Sequence, residues 1–568
     1  MDRRDFLAVG KPAGNTTGAV GLKKQEPARQ KEYTPRVQSG INPYKQTLAE
    51  DDLIHLLKRT LFGASPADVN FFKGKSLDQV VNELLTITGT TTTVTVKTYT
   101  PGATTPANDP DQSLAAGQPW VTVHTNDGSV NASRRASLKA WWMGQLVNQS
   151  RNVQEKMVLF WHHHFAAETA DIGNGIACYL YNKTLRQYAL GNFKAFVKAI
   201  TLEPGMLRYL NGERNLKSAP DENYARELQE LFTVGKGSGS KYTEDDVKQA
   251  ARVLTGFRVN YANITSYFDA NQHDTGSKTF SAFYGGKTIT GKTGAAGAGE
   301  LDELLDMIFA TQEVAKHIVR NIYRWFVYYE IDTQVEQDVI APLANIFRSS
   351  NYDIKALMTA LLKSEHFFDP LNRGCQIKSP IDLVVGGVRE FGTVFPAATD
   401  YATNYLMWSW LQTNAANMQQ NIGDPPDVSG WKAYYQEPLF YEIWINSDTL
   451  PKRNQYTDTM IINGYTRNSI TIRFDAIEFA KGMSKPGDPN LLLADVLKYL
   501  YRISLSAATI AQIKKDILLS GQAQDHYWTD AWDAYTANPT NAMAMTTVRT
   551  RLRNLFQYLM NLAEYQLA

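Results

Sequence analysis

Apolar residues recur at helical spacing through most of this chain of 568 residues, and that pattern limits its fold more than any other feature. Between residues 133 and 200, for example, Leu138, Trp141 and Leu146 fall on one helical face. Such a face packs against a core, so the spacing indicates amphipathic helices. No repeat with a period of 20–50 residues and no clear linker divides the chain. We therefore predict a mainly α fold, with one large helical domain over residues 46–568.

Three regions interrupt the helical pattern, at about residues 86–130, 258–299 and 414–480. The first is rich in Thr, the second alternates Thr, Gly and Tyr, and the third combines prolines with many aromatic residues. These compositions favour long irregular loops and one small β-hairpin insertion. Residues 1–45 are rich in Gly, Pro, Lys and Gln and are predicted to form a flexible tail.

The tail begins with a pair of arginines, Arg3-Arg4, that looks like the twin-arginine export motif. A working signal also needs about 7–15 apolar residues, but here the apolar run ends at Val9. The motif is therefore interpreted as a relic or a truncated signal, which taken literally implies a cytoplasmic protein. No segment approaches the roughly 20 apolar residues of a membrane span.

Charge and cysteine content exclude two classes of function. Lys and Arg number 58 against 57 Asp and Glu, for a net charge of +1, which argues against a protein that coats nucleic acid. Cys178 and Cys375 are too few for a thiolate zinc site. Whether these two cysteines pair with each other is left open.

One segment fits the pattern of a phosphate-binding loop, Gly286 to Thr293. That function requires a helix to begin at the Lys-Thr step, so that backbone N–H groups face the phosphates. The glycine-rich run 294–299 follows instead and is unsuited to begin a helix. The sequence therefore favours a glycine-bounded hairpin over nucleotide binding.

Three consecutive histidines, His162, His163 and His164, form the first candidate site. In an extended segment His162 and His164 would share a face, whereas in a helix His164 would share a face with Glu168. Either arrangement supplies two metal ligands. The alternative is aromatic packing, with one histidine hydrogen-bonded to a carboxylate.

Two further polar groups are candidates. Glu227 and Glu230 stand three apart, a spacing that lets two carboxylates of a helix share a metal. The alternative is a solvated face with an ion pair between Arg226 and Glu230. His273-Asp274 can present a ligand and its orienting carboxylate, or form an Asx-type turn.

Taken together, these segments resemble the bacterial family catalogued as domain of unknown function 1800. The resemblance covers about residues 50–455, and more loosely the rest of the chain. It is carried by co-linear motifs: His55-Leu56-Leu57 with Arg59, Phe62 and Gly63; Trp161 to Phe165; Glu222-Asn223 through Arg226-Glu227-Leu228 to Thr233 and Gly235; Tyr242-Thr243-Glu244; Ala251-Arg252 with Leu254-Thr255-Gly256; His273-Asp274 with Gly276 and Lys278; and Pro425-Pro426-Asp427-Val428 with Gly430-Trp431.

The resemblance implies a location and a partner but no activity, since none is established for the family. Its members look exported, which implies a periplasmic or exported protein with a cell-envelope role. They are often encoded beside a family similar to sulfatases and alkaline phosphatases, which implies such a partner protein. Two residues depart from the pattern: His163 and Asp221 stand where the family usually or commonly has Asn. The first departure shifts the predicted functional pair to His162 and His164.

Because these polar clusters recur in the family pattern, we predict that they form one shared site. The leading hypothesis is a metal-dependent enzyme of the hydrolase or oxygenase type, with a divalent Fe, Mn or Zn ion. Arg226 would hold a carboxylate or an anionic substrate group, and aromatic loops at 425–445 would cover the pocket. The alternative is a non-catalytic envelope binding or assembly protein that uses the aromatic residues Tyr434, Tyr435, Phe440, Tyr441 and Trp444 as a partner surface. The predicted metal ligands are His162, His164, Glu227, Glu230 and His273, and the predicted catalytic residues are Glu227, Arg226 and Asp274.

Overall fold

The structure is a computed structural model that describes residues 39–87 and 94–568. Helices hold 57% of the residues and strands 5%, which confirms the mainly α fold class. Of the predicted tail, residues 39–45 are described and contain no helix, while the Arg3-Arg4 motif lies outside the described residues. Residues 88–93 of the first predicted insertion lie outside them as well.

The N-terminal half is a succession of short helices with well-formed N-caps. Ser65 accepts from the N–H of Asp68 at 3.0 Å, and Thr243 forms a capping box with Asp246. The segment from Ser218 to Asp221 has residues typical of a helix start, with a serine, an early proline and an acid, but the helix begins only at Asn223. The helices are α1 (Glu50–Thr60), α2 (Pro66–Phe72), α3 (Leu77–Leu84), α4 (Gly128–Val147), α5 (Gln154–His164), α6 (Thr169–Ile172), α7 (Gly175–Gln187), α8 (Phe193–Thr201), α9 (Pro204–Tyr209), α10 (Asn223–Glu227, continued by a π-helical turn, Leu228–Thr233) and α11 (Glu244–Val253).

Two small antiparallel hairpins occupy the predicted insertion at 258–299. They pair Phe257 with Phe268 and Lys278 with Ile289. Within the Gly286–Thr293 segment, Thr288 and Ile289 form a strand that pairs with Lys278–Thr279, and a 3-10 helix, Gly294–Gly299, follows the segment, so it belongs to a hairpin as predicted. The strands are β1 (Phe257–Asn260), β2 (Thr265–Phe268), β3 (Lys278–Thr279) and β4 (Thr288–Ile289).

The second half is also helical and includes several elements inside the region 414–480, which the sequence predicts to be mostly loop. Residues 449–462 form a helix inside the predicted loop region 414–480. The buried face of this helix includes the polar residues Arg453 and Thr457, so the apolar spacing that would predict a helix is not visible in the sequence. The helices are α12 (Glu300–Ala310), α13 (Glu313–Phe326), α14 (Thr333–Val335, continued by a π-helical turn, Glu336–Ile340), α15 (Ala341–Ser349), α16 (Ile354–Leu362), α17 (Pro380–Glu390), α18 (Tyr401–Asn417), α19 (Thr449–Ile462), α20 (Ala476–Lys481), α21 (Pro489–Leu500), α22 (Ala507–Ile513, continued by a π-helical turn, Lys514–Leu518), α23 (His526–Ala537) and α24 (Ala542–Asn561). The strands β5 (Tyr465–Arg467) and β6 (Ile470–Ile472) form a third hairpin.

Short 3-10 helices connect several of these elements. Outside the Gly294–Gly299 segment they are Pro110–Ser113, Gly212–Arg214, Ala270–Gln272, Ala282–Tyr284, Pro370–Asn372, Lys432–Tyr434, Phe440–Trp444 and Ala563–Gln566.

One cluster of buried apolar side chains extends from Leu53 to Tyr565 in the sequence. Helix α5 runs through it, and Met157 and Trp161 are fully buried. Burial of each such side chain stabilises the fold by about 1.5–3 kcal/mol, so the core fixes the end of α5 firmly. The division of the chain into domains stays a prediction.

Cys178 and Cys375 are both free and buried. Among the described residues, no helix combines the length and the apolar character needed to cross a membrane.

Candidate functional site

The three histidines form the last turn of α5, so their side chains point in three directions. His162 points into the core, where its Nε2 accepts from the Gly423 N–H at 3.1 Å and its Nδ1 lies 3.1 Å from the Tyr181 hydroxyl. The Tyr181 hydroxyl in turn donates to the Phe165 carbonyl at 2.6 Å. Burial lowers the pKa of His162 to about 3. Both of its nitrogens are therefore engaged by protein groups, in a neutral ring.

His163 lies on the other side of the helix, against aromatic rings. Its Nδ1 accepts from the Trp431 N–H at 3.1 Å, and its ring centroid is 5.7 Å from that of Trp325 and 4.8 Å from that of Tyr434. Burial lowers the pKa of His163 to about 3. Because Nδ1 accepts, the neutral ring carries its hydrogen on Nε2, which remains a donor.

His164 and His317 hold the π-helical turn that follows α10. His164 Nε2 donates to the Phe232 carbonyl at 3.1 Å, and His317 Nε2 donates to the Leu231 carbonyl at 2.8 Å. Carbonyls at the end of a helical turn lack partners within the helix, and these two imidazoles supply them. Burial lowers the pKa of His317 to about 4 and that of His164 well below its ordinary value. Both rings are therefore neutral and act as clamps on the backbone.

The helix that these histidines hold carries the two predicted carboxylates. Glu230 forms an ion pair with Lys236, while Glu227, within the described chain, makes no hydrogen bond or ion pair. Burial and the charge of Glu230 raise the pKa of the Glu227 carboxyl to about 7. Arg226 is engaged by Glu244, with N···O distances of 2.8 and 2.7 Å, and by Glu222 at 3.0 Å, rather than by Glu230.

The His273-Asp274 pair belongs to a separate buried cluster. His273 Nδ1 lies 3.0 Å from the Thr255 carbonyl, and its Nε2 lies 3.1 Å from Glu300 Oε1. Arg252 holds Asp274 with two N–H donors at 2.8 and 3.0 Å. These contacts fasten the β-hairpins to α11 and α12, and they use the polar atoms that a ligand would need.

The structure therefore does not bring the five predicted ligands to one point. Among the described residues, no group of three or more His, Cys, Asp or Glu side chains is arranged to hold a metal ion. What it does bring together is the end of α5 and the helix of Glu227 and Glu230, through the clamp of His164 on Phe232.

An open polar cavity of about 930 Å³ lies where these elements meet, and we call it the histidine cavity. His163, His164 and His317 line it, together with Glu230 and Arg324. The loop residues Ser429, Tyr434, Tyr435 and Glu437 form another wall, within the region that the sequence predicts as a cover. The sequence motifs favour His162 and His164 over His163 and give no indication of His317. The position of His317 in the sequence shows only that it is a polar residue on the amphipathic helix α13.

A neighbouring group of carboxylates surrounds Tyr209, at the end of α9. The charges of Glu168, Asp171, Asp427 and Glu227 all raise the pKa of this tyrosine, as its burial does. Glu168, like Glu227, makes no side-chain hydrogen bond or ion pair within the described residues, and burial together with nearby carboxylates raises its pKa. Glu168 and Glu227 thus both act on the pKa of Tyr209, and neither is hydrogen-bonded or ion-paired within the described residues.

These features define the protein's class: it is a mainly α protein with an open polar cavity, bordered by histidines that hydrogen-bond to backbone carbonyls. Residues 55–567 match the family described as "Protein of unknown function (DUF1800)", and the chain belongs to that family. No curated protein and no solved structure matches the chain.

Proposed function

We propose that this protein is an enzyme of the hydrolase type that uses the Glu227 carboxyl as an acid–base group at the edge of the histidine cavity. The observation that carries the proposal is a partly buried carboxyl with no hydrogen bond or ion pair among the described residues. It lies close enough to Glu230 and Lys236, which line the cavity, for their charges to act on it. A carboxyl with a pKa near 7 can both give and take a proton at neutral pH.

We assign to Glu168 the second carboxyl that hydrolysis by acid–base chemistry requires, because the charges of both Glu168 and Glu227 act on Tyr209. One group must hold a proton while the other is ionised, and unequal environments produce that difference. Glu227 is next to Glu230, whereas Glu168 is next to Asp171, Asp424 and Asp427. We assign proton donation to Glu227 and activation of water to Glu168.

The histidines act as positioning residues in this proposal. His164 and His317 fix the turn that follows Glu227, and His163 offers its Nε2 hydrogen to a bound substrate. The proposal assigns no step to a metal ion, since no group of three or more His, Cys, Asp or Glu side chains in the described part of the chain is arranged to hold one.

The experiment is a screen with 4-nitrophenyl esters, glycosides and phosphates between pH 5 and pH 9. For any substrate that is turned over, we expect Glu227→Gln to lower kcat by about 100-fold or more, the usual contribution of a general acid. Glu222→Gln is the matched control, since it removes one charge from the N-cap of α10, where the Glu222 carboxylate pairs with Arg226 rather than facing Glu230. Full kcat in the folded Glu227→Gln protein, or no turnover by the wild type, would contradict the proposal.

The second candidate is a non-catalytic envelope protein with a partner similar to sulfatases and alkaline phosphatases. Its support is the exposure of Tyr435 and Leu439, at 37% and 48%, on the loop that borders the cavity. Phe440 and Trp444, however, are buried, so this surface is smaller than the sequence predicts. Co-purification with such a partner, lost in Leu439→Ser, would favour this candidate.

A further inference from the structure

A second, enclosed pocket of about 40 Å³ lies behind the histidine cavity, and we call it the cationic pocket. Residues of α1, α5, α13 and α17 line it, together with the segment 376–379. Its two acidic side chains are both neutralised, Glu390 by Lys58 and Asp382 by Lys156. The positive side chains that line it are Lys58, Arg59, Lys156, Arg324 and Lys378.

Three of these cations, Arg59, Arg324 and Lys378, have no Asp or Glu side chain within ion-pair distance among the described residues. Lys378 is 7% exposed, and its Nζ makes no hydrogen bond there; it lies 3.8 Å from the centre of the Tyr565 ring. Charged groups are rarely buried without a partner, because removal from water is costly. Arg59 donates to the Ala568 oxygen at 3.1 Å, which leaves Arg324 and Lys378 as the positive side chains of the pocket without a carboxylate partner in the described chain.

Two further N–H donors in the pocket lack acceptors. Arg59 Nε and Trp325 Nε1 are buried without a hydrogen-bond partner, and these side chains are only 4% and 6% exposed. Arg59 is held in place, because its other nitrogens donate to Gln376 Oε1 at 2.5 Å, to the Asn372 carbonyl at 3.0 Å and to the Ala568 oxygen at 3.1 Å. Buried donors without partners indicate a site for a water or an ion.

We propose that the cationic pocket binds an oxyanion, namely a sulfate or phosphate group. Such a group offers several acceptor oxygens to Lys378, Arg59 and Trp325 and neutralises the surplus charge. The volume admits a small group rather than a whole substrate. This inference does not depend on Glu227 or on the proposed hydrolysis.

The oxyanion can be a free ion or the end of a larger ligand. Arg324 and Tyr434 line both the cationic pocket and the histidine cavity, so the two spaces adjoin. An esterified sulfate or phosphate would place its oxygens in the pocket and the rest of the ligand in the cavity. Both sources share the same recognition chemistry.

Binding is coupled to the protonation of Lys378. Burial and the charges of Lys58 and Arg453 lower the pKa of Lys378 to about 7, against the opposing effect of Glu390 and Asp382. An anion favours the ammonium form, so its affinity falls as pH rises above 7. If binding needs that form, affinity drops about 20-fold between pH 6.5 and pH 8.5. The groups that face Lys378 are Lys58 on α1, Asp382 and Glu390 on α17, Arg453 on α19 and Tyr565 near the C-terminal end.

The test is calorimetric titration of the full chain with sodium sulfate, whose charge is constant over this pH range. Sodium chloride keeps the ionic strength fixed and serves as the competing anion. We expect one site, with the stated loss of affinity at pH 8.5. Lys378→Met should weaken binding at pH 6.5 by at least tenfold and abolish the pH dependence. Trp325→Phe, which keeps the ring and removes one donor, should weaken it several-fold.

Lys198→Met is the control, because Lys198 is exposed and pairs with Asp302 on the surface. Phenyl phosphate and inorganic phosphate, compared at one pH, separate the two sources. Tighter binding of the ester supports a ligand that spans both spaces, and equal or weaker binding supports a free ion. No saturable sulfate binding, or wild-type affinity in folded Lys378→Met, would overturn the proposal.

Discussion

Replacement of Lys378 by methionine removes a buried amine and puts an apolar side chain of similar length in its place. In the folded protein the pKa of this amine is about 7, against an ordinary value of 10.5. Between these values the unfolded chain binds a proton that the folded chain does not, so wild-type stability rises with pH. The slope is about 1.4 kcal/mol per pH unit, which gives about 3 kcal/mol between pH 6 and pH 9.

Methionine does not titrate, so the difference in unfolding free energy between the two proteins isolates this effect. We expect Lys378→Met to be the more stable protein at pH 6 and to lose about 3 kcal/mol of that advantage by pH 9. Urea unfolding followed by tryptophan fluorescence, in chloride buffers free of oxyanions, measures it. Lys198→Met should show no such trend, since that lysine is exposed. A constant difference across the pH range would refute the reasoning.

Two further predictions follow from the site. Elemental analysis of the tag-free protein tests the predicted Fe, Mn or Zn ion. From the geometry of the described residues we expect no more than trace metal, and the same amount in a His164→Ala/Glu227→Ala variant. Near-stoichiometric metal that is lost in that variant would establish the metal site. Gly235→Ala should lower the unfolding free energy by about 1–3 kcal/mol more than Gly74→Ala. Both glycines have φ of +82°, but a Cβ at Gly235 would lie 2.5 Å from His317 Nδ1, whereas one at Gly74 meets nothing within 4 Å. Equal losses, measured by urea unfolding, would show that the clamp of His317 tolerates displacement.

The helices were predictable where apolar spacing and capping are local. The capping box at Thr243 is of this kind, whereas the sequence left the histidine run at the end of α5 open between a helix and an extended segment. Helix α19 was not, because Arg453 lies on its buried face. That guanidinium donates to Gln566 Oε1 at 2.7 Å and to the Lys378 carbonyl at 2.8 Å, and both partners are distant in the sequence. A buried polar residue whose hydrogen-bond partners are distant in the sequence interrupts the apolar periodicity that predicts a helix.

The candidate site was predictable only in part, for a similar reason. The motifs singled out the histidine run and the helix of Glu227, and the hydrogen bond from His164 to the Phe232 carbonyl connects these two elements. They could not show that His164 Nε2 bonds to the Phe232 carbonyl, 68 residues away, or that His162 Nε2 bonds to the Gly423 N–H, 261 residues away. Lys378 has no motif around it, so its burial without an ion-pair partner is visible only in the fold.

The central claim is that Glu227 exchanges protons near neutral pH beside the histidine cavity. Carbon-13 NMR of the glutamate carboxyls tests it directly, with the Glu227 resonance assigned by its absence from Glu227→Gln. The account predicts a titration midpoint near 7, since burial and Glu230 raise this pKa. A midpoint near the ordinary value of 4.5 would contradict it.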